Sequence, residues 1–148
     1  MLDTIQIEQY VERARLLFRS GFNCSQAVYA ACAPLYGISE DLALRIAASF
    51  GGGIGRMHSV CGAASGMFLL EGLQSGTNKQ GDTQGKMYNY NQVRQLAQAF
   101  EQQHGSIICA ELLGLTTHQT TQKTQKTPCA EIVENAVRIF LTQNADKW

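Results

Sequence analysis

The sequence has little charge and no excess of either sign. Its 148 residues include 12 Lys and Arg side chains and 12 Asp and Glu side chains, so the formal net charge is zero. The charged residues are scattered singly, whereas capture of nucleic acid or of an anionic membrane depends on clustered positive charge. We therefore expect a protein that does not bind nucleic acid.

Long apolar segments and a secretory leader are also missing. No apolar run reaches the ~20 residues that a membrane-spanning helix needs, and the N-terminus lacks the basic start and apolar core of a signal peptide. These absences predict a cytoplasmic protein without membrane insertion. Thiols stay reduced in that compartment, so the five cysteines, which include no CxxC pair, are expected to be reactive, metal-binding or buried rather than joined in structural disulfides.

Proline is scarce, and apolar residues recur at spacings of three and four. Val11, Ala14 and Leu17 follow this period, which is typical of amphipathic helices. The chain length suits one domain with its own core. The sequence therefore predicts an all-α, single-domain bundle of about six to seven helices over residues 1–148.

Capping residues, glycines and prolines place the helix boundaries. A low-complexity polar stretch, LTTHQTTQKTQKTP, separates the last two helices, and His118 lies in it. The predicted helices run from Asp3 or Thr4 to just before Gly21, from Asn23 to Gly37 with a bend at Pro34, from Ser39 to Phe50, from Ser59 to Gly72, from Asn89 or Asn91 to His104, from Ser106 to Gly114, and from Thr127, with Pro128 in the first helical position, to about Asn144.

Four of the five cysteines fall at the same place relative to these boundaries. Cys24, Cys61, Cys109 and Cys129 each lie in the first turn of a predicted helix. Free N–H groups and the positive end of the helix dipole stabilise a thiolate there and lower the thiol pKa from ~8.5. We expect reactive thiolates, with Cys61 the most exposed. Cys32 lies mid-helix among alanines and is expected in the core.

The segment FGGGIGRMHSVCGAASG is rich in glycine. The loop at residues 51–55 resembles a general anion site, because a Gly-rich turn precedes a helix N-terminus, but it lacks the preceding strand of a dinucleotide fingerprint. On the following helix, Gly62, Ala63 and Gly66 lie on one face. They allow close approach either of a ligand or of a second helix.

Two side chains between the glycines and the second cysteine carry or can carry positive charge. Arg56 and His58 are both placed to favour the Cys61 thiolate or to hold an anionic partner, and His58 is also a candidate local acid or base. The alternative for each is a solvated surface residue. His104, at a helix C-terminus, is expected only to complement the helix dipole.

The cysteine pattern resembles that of the C_GCAxxG_C_C family of redox-active proteins. The resemblance covers nearly the whole chain and implies a redox function carried by four cysteines. Cys32 falls outside the pattern, and His58 stands where the family is expected to have a small or polar residue. The matching elements are Cys24 in NCSQAV, Cys61 in CGAASG, Cys109 in CAELLG and Cys129 in CAEIV.

Three hypotheses follow for the function. In the first, the four cysteines converge at one end of a helical bundle and exchange between dithiol and disulfide, or pass electrons to a redox partner protein. In the second, the same four sulfurs bind zinc or an iron–sulfur cluster. In the third, the protein is a non-enzymatic interaction module, and its cysteines fill the core.

A homodimer is compatible with all three hypotheses. The small residues at Gly62 and Gly66, with the apolar stretch MFLLEGL that follows, could meet a symmetric copy, and two-fold dimers are the commonest assembly.

Overall fold

The helices that the apolar spacing predicts are present in the structure. The computed structural model describes residues 1–115 and 127–148, and within these ranges the chain is all-α with no named strand. The low-complexity stretch, with His118, lies largely outside the described residues. The described helices are α1 Thr4–Arg19, α2 Cys24–Cys32, α3 Glu40–Ala47, α4 Gly62–Ser75, α5 Thr83–His104, α6 Cys109–Leu112 and α7 Cys129–Gln143, with short 3-10 turns at Ala33–Tyr36, Ala48–Phe50 and Ala145–Lys147.

The first three helices begin at the predicted caps. Asp3 and Asn23 accept hydrogen bonds from the backbone N–H three residues later. The residue there is a glutamine in both cases, and its side-chain oxygen accepts a hydrogen bond from the backbone N–H of the cap residue. Ser39 likewise accepts from the backbone N–H of Leu42. These capping bonds satisfy N–H groups that a helix leaves unpaired, so local hydrogen bonding determines where these three helices begin.

Two predicted caps are wrong, because the residues after them are extended. Ser59 and Ser106 do not start helices; α4 begins at Gly62 and α6 at Cys109. Residues 59–61 and 107–109 pair instead as a short antiparallel bridge. The N–H of Cys61 donates to the carbonyl of Ile107 at 2.7 Å, and the N–H of Cys109 donates to that of Ser59 at 2.6 Å.

The starts of the last two long helices also differ from the prediction. α5 begins at Thr83 rather than at Asn89 or Asn91, because the Asp82 carboxylate caps it by accepting from the N–H of Gly85 at 2.9 Å. α7 begins at Cys129, and Pro128 is its N-cap rather than its first helical residue.

Helix α2 lies at the centre of the fold and is almost entirely buried. It packs against α1, α3, α4 and α7. A methyl group added to Gly66 of α4 would lie 2.9 Å from the Val28 Cβ and 3.1 Å from the Ser25 carbonyl oxygen. The small-residue face therefore brings α4 close to α2 in the same chain, as the second of the two sequence alternatives expected.

This packing corrects the predicted dimer surface. The Gly66 face is covered by α2, and Met67 and Leu70 are fully buried within the chain. Burial of such side chains is a main source of stability, so they are not free to meet a second copy. The homodimer itself stays a prediction, but the Gly66 face, Met67 and Leu70 cannot form its interface.

A carboxyl group is buried where α4 meets the end of α7. Glu71 and Asn144 are both fully buried. The Asn144 side-chain Nδ2 donates to Glu71 Oε1 at 3.1 Å, and the Ser75 hydroxyl donates to Glu71 Oε2 at 2.6 Å. Because buried carboxyl groups need hydrogen-bond partners, these bonds fix the end of α7 against α4. None of the helices in the described part of the chain is long and apolar enough to cross a membrane.

Candidate functional site

The structure brings the four cysteines of the family-like pattern to one cavity. Cys24 starts α2, Cys61 directly precedes α4, Cys109 starts α6, and Cys129 starts α7. Their helices come from distant parts of the sequence, but these four ends meet around a space of about 240 Å³. The other residues that line it are Phe18, Asn23, Gly52, Arg56, Gly62, Leu112, Leu113 and Ile132.

The four thiols form a connected series of neighbours. The charges of Cys24 and Cys109 both influence the pKa of Cys61, and the charges of Cys24 and Cys129 both influence that of Cys109. The structure joins none of these four described cysteines in a disulfide. Cys24 is therefore the neighbour shared by Cys61 and Cys109, and Cys129 adjoins Cys109.

The expected low pKa of Cys61 is wrong. The pKa of this thiol is raised to about 12, chiefly by burial and also by the charges of Cys24 and Cys109, and these effects outweigh the backbone N–H groups of Ala64 and Ala63, which lower it. The helix start therefore does favour the thiolate, as expected, but the loss of solvation is the larger effect.

Exposure also differs from the prediction. Cys61 is only 7% exposed, whereas Cys129 is the exposed cysteine of the four and Cys24 is half-buried. The pKa of Cys109 is raised to about 11, chiefly by burial and also by the charges of Cys24 and Cys129. The more accessible thiols are thus those of Cys129 and Cys24; Cys24 still packs against the core, whereas core filling does not account for the exposed Cys129.

The fifth cysteine lies where the sequence analysis put it. Cys32 is fully buried in α2, and burial raises its pKa. It does not line the cavity. Cys32 is a core residue and stands apart from the four-cysteine site.

Only one of the three small residues proposed for ligand contact lines the cavity. A methyl group added to Gly62 would lie 2.4 Å from the Cys24 sulfur and 2.9 Å from the Phe50 carbonyl oxygen. Ala63 is fully buried, and Gly66 contacts α2. Glycine at position 62 thus allows the Cys24 sulfur to approach the start of α4, and the group in close contact is this thiol.

The glycine-rich loop winds as a left-handed turn. Residues 52–56 all have positive φ, between 56° and 71°, and His58 has a φ of 60°. Ile54 and Arg56 have no glycine-like freedom, and Ile54 is β-branched, so both are strained in this conformation. Such strain is found where a fold must hold a functional group in place.

This turn supports one cysteine and carries one charge to the cavity. A methyl group added to Gly53 would lie 2.7 Å from the Cys109 Cβ, so the turn packs directly beneath this residue. Arg56 lines the cavity, whereas His58 is exposed and does not. Of the two residues singled out before the second cysteine, only Arg56 reaches the site.

Sequence reasoning missed the apolar walls of the cavity. Phe18 comes from the end of α1, Leu112 and Leu113 from α6 and the residue after it, and Ile132 from the first turn of α7. In the sequence, each of these residues has the spacing of an ordinary core position. Only the tertiary arrangement turns them toward the cysteines, so no local signal could have found them.

The metal hypothesis receives no support from the geometry of the described residues. Within residues 1–115 and 127–148, no three His, Cys, Asp or Glu side chains are grouped closely enough to hold a metal ion. The cysteines share a cavity but do not form such a group.

Comparison with known proteins agrees with the cysteine pattern. No curated protein and no solved structure matches the chain. A family model described as "Putative redox-active protein (C_GCAxxG_C_C)" matches residues 22–142, which include all four cavity cysteines and most of the chain. The chain therefore belongs to the C_GCAxxG_C_C family.

Proposed function

We propose that the protein is a thiol redox protein that exchanges electrons with small-molecule disulfides through two cysteine pairs. The observation that carries this proposal is that the four cysteines of the family pattern line one cavity. Family membership supplies the redox character. The shared cavity supports dithiol chemistry, because sulfurs must come close together before a disulfide can form.

The backbone bridge argues against one possible pair. Residues 59–61 and 107–109 are antiparallel, which makes Cys61 and Cys109 diagonal neighbours across the bridge. Diagonal neighbours are ~7–8 Å apart, whereas a disulfide needs Cβ atoms about 3.5–4.5 Å apart. A bond between these two would require the bridge to open.

The remaining neighbour relations favour two pairs. Cys24 is a neighbour of Cys61, and its sulfur lies against Gly62, the residue after Cys61. Cys129 is a neighbour of Cys109. We therefore assign the pairs Cys24–Cys61 and Cys109–Cys129.

The exposed thiol begins the exchange. The thiolate of Cys129 attacks one sulfur of the disulfide RSSR; the S–S bond breaks, RS⁻ leaves, and a mixed disulfide forms on Cys129. This reaction removes the negative charge of Cys129, which is one cause of the raised pKa of Cys109. Cys109 then loses its proton more readily, attacks the Cys129 sulfur and expels the second RS⁻.

The products balance in electrons and protons. Two electrons pass from the cysteine pair to RSSR, and the two protons of the cysteine thiols end on the two RSH products. The inner pair is oxidised by exchange with the outer disulfide: Cys24 attacks the Cys109 sulfur and releases the Cys129 thiolate, and Cys61 then attacks the Cys24 sulfur and releases the Cys109 thiolate. A second RSSR oxidises the outer pair again. A small-molecule thiol, or a redox partner protein, would return both pairs to the dithiol state, as expected in a reducing cytoplasm.

Disulfide mapping tests the assignment. Anaerobically purified protein is treated with 2,2′-dithiodipyridine at neutral pH, and linked peptides are identified by mass spectrometry. We expect Cys24–Cys61 and Cys109–Cys129, with thiopyridone release that Cys129→Ser slows by about tenfold or more, because the accessible nucleophile is lost. Cys32→Ser is the matched control and should leave both disulfides unchanged.

Two results would contradict the proposal. One is a set of four thiols that react only after the protein is unfolded, as the core-filling hypothesis expects. The other is a dominant Cys61–Cys109 disulfide, which would mean that the bridge does not constrain these residues.

A further inference from the structure

We infer that the four-cysteine cavity selects a small, largely apolar sulfur compound with one anionic group, which Arg56 binds while the reactive sulfur faces the cysteines. This inference deepens the proposed function and rests on it. It names the substrate class that the cavity would take.

The walls of the cavity are chiefly apolar. Phe18, Leu112, Leu113 and Ile132 line it together with the thiols, and among the residues that the structure describes Arg56 is the one charged residue in the lining. The volume of about 240 Å³ is smaller than the ~300–1,000 Å³ of drug-sized ligand sites. A compact molecule with an apolar body therefore fits these walls better than a polar peptide segment does.

The guanidinium of Arg56 is available to an anion. It forms no ion pair or side-chain hydrogen bond with the described residues, whereas Arg13, Arg15 and Arg138 are each paired with glutamates. Arg56 is exposed, and its guanidinium presents a planar set of donors that matches a carboxylate or sulfonate.

The left-handed turn holds this side chain in place. A methyl group added to Gly52 would lie 2.7 Å from the Arg56 Cγ, so the arginine side chain lies across this glycine. Arg56 itself has a φ of 61°, a conformation that costs an L-residue about 1–2 kcal/mol.

Three methanethiosulfonates that differ in charge test the inference. They transfer a 2-sulfonatoethylthio, a 2-(trimethylammonio)ethylthio or a methylthio group to a thiolate and release methanesulfinate. We would measure the rate at each cavity cysteine by quenching and peptide mass, for the wild type, Arg56→Gln and Arg56→Lys. The exposed Arg94→Gln on α5 removes the same charge away from the cavity and is the matched control.

The expected result is a change in a ratio of rates. In the wild type the anionic reagent should react faster than the neutral one, and Arg56→Gln should lower that anionic-to-neutral ratio by about tenfold. Arg56→Lys should restore part of the ratio, and Arg94→Gln should leave it unchanged. The cationic reagent should show the opposite trend.

Other outcomes overturn the inference. Equal slowing of all three reagents in Arg56→Gln would mean that Arg56 acts on thiolate formation rather than on the anion. An equal loss of the ratio in Arg94→Gln would mean that only overall charge matters. Failure of the proposed function looks different, because the neutral reagent would then modify none of the four cysteines in the folded protein.

Discussion

At Cys61 two physical effects oppose each other. The N–H groups at the start of α4 stabilise the thiolate, and burial beside two other cysteines destabilises it. Solvation of a charged sulfur is worth more than two backbone hydrogen bonds in this position, so the thiol form prevails. A cysteine at a helix start is thus reactive only when solvent reaches it, which favours Cys129 as the residue that reacts first.

The raised pKa of Cys61 predicts a loss of stability at alkaline pH. The folded thiol keeps its proton up to about pH 12, whereas the unfolded thiol releases it near its ordinary pKa of 9.0. Between these values the folded state binds more protons, so the free energy of unfolding should fall as the pH rises above about 9. Urea unfolding from pH 8 to pH 10.5 should show the fall, with at most ~1.4 kcal/mol per pH unit from this thiol.

The control separates this thiol from other titrating groups. Cys61→Ala should make the alkaline slope shallower, whereas Ser59→Ala, a change without an ionisable group in the same extended segment, should not. Buried Cys32 and Cys109 also have raised pKa values and should keep some slope in both variants. Equal slopes in the wild type and Cys61→Ala would contradict the assignment.

Among the elements, the turn over residues 52–56 departs most from ordinary geometry. It contains glycines at three of its five positions, yet Ile54 and Arg56 adopt the same left-handed conformation, and His58 follows with a φ of 60°. The backbone bonds of the turn span three to six residues; the bond from the N–H of His58 to the carbonyl of Gly52, at 3.1 Å, is one of the longer spans. The turn is therefore held together by its own backbone.

Relief of this strain should stabilise the protein. His58 is exposed, so His58→Gly removes a left-handed L-residue and few side-chain contacts. The gain of about 1–2 kcal/mol exceeds the ~0.5–1 kcal/mol that glycine loses through unfolded-state freedom, which leaves a net rise of about 1 kcal/mol in the free energy of unfolding. Chemical denaturation would measure it.

The neighbouring residue is the control. Met57 is 69% exposed and has no positive φ, so Met57→Gly should lower the free energy of unfolding by about 0.5–1 kcal/mol. A similar decrease in both variants would show that the backbone at His58 is not strained.

The sequence predicted the elements where local chemistry decides them. Asp3, Asn23 and Ser39 were identified as caps because a cap forms its bonds within four residues. Ser59 and Ser106 failed as predicted caps because the residues after them pair with each other across some 48 residues of chain, and no local pattern records such a bridge. The four cysteines were identified by their order, but their burial depended on contacts between helices.

At the scale of the whole molecule, Glu71 and Asn144 connect α4 and α7, two of the helices that pack against α2. Glu71 lies in α4, and Asn144 is the residue at which α7 ends. The Asn144 amide also donates to the Phe140 carbonyl at 3.1 Å. One side chain therefore ends a helix and satisfies a carboxyl group in the core, and neither residue has a sequence signal for this role.

Loss of this contact should destabilise the fold. Asn144→Ala leaves Glu71 Oε1 without its donor, which costs about 1–3 kcal/mol of unfolding free energy because the group stays buried. The exposed Asn91→Ala should change it by less than about 0.5 kcal/mol. Thermal and urea unfolding would compare the two. If Asn144→Ala and Asn91→Ala lowered the free energy of unfolding by equally small amounts, solvent would be replacing the lost donor to Glu71, and the prediction would be wrong.

The left-handed turn beneath the cavity also makes chirality a property of the site. Its five residues wind in the hand that D-amino acids adopt naturally, and the φ of Gly55, 56°, lies in the middle of that region. A chain made by chemical synthesis with D-alanine at this position would therefore match the native backbone. In this turn a D-residue would adopt the native φ without the strain that an L-residue carries there.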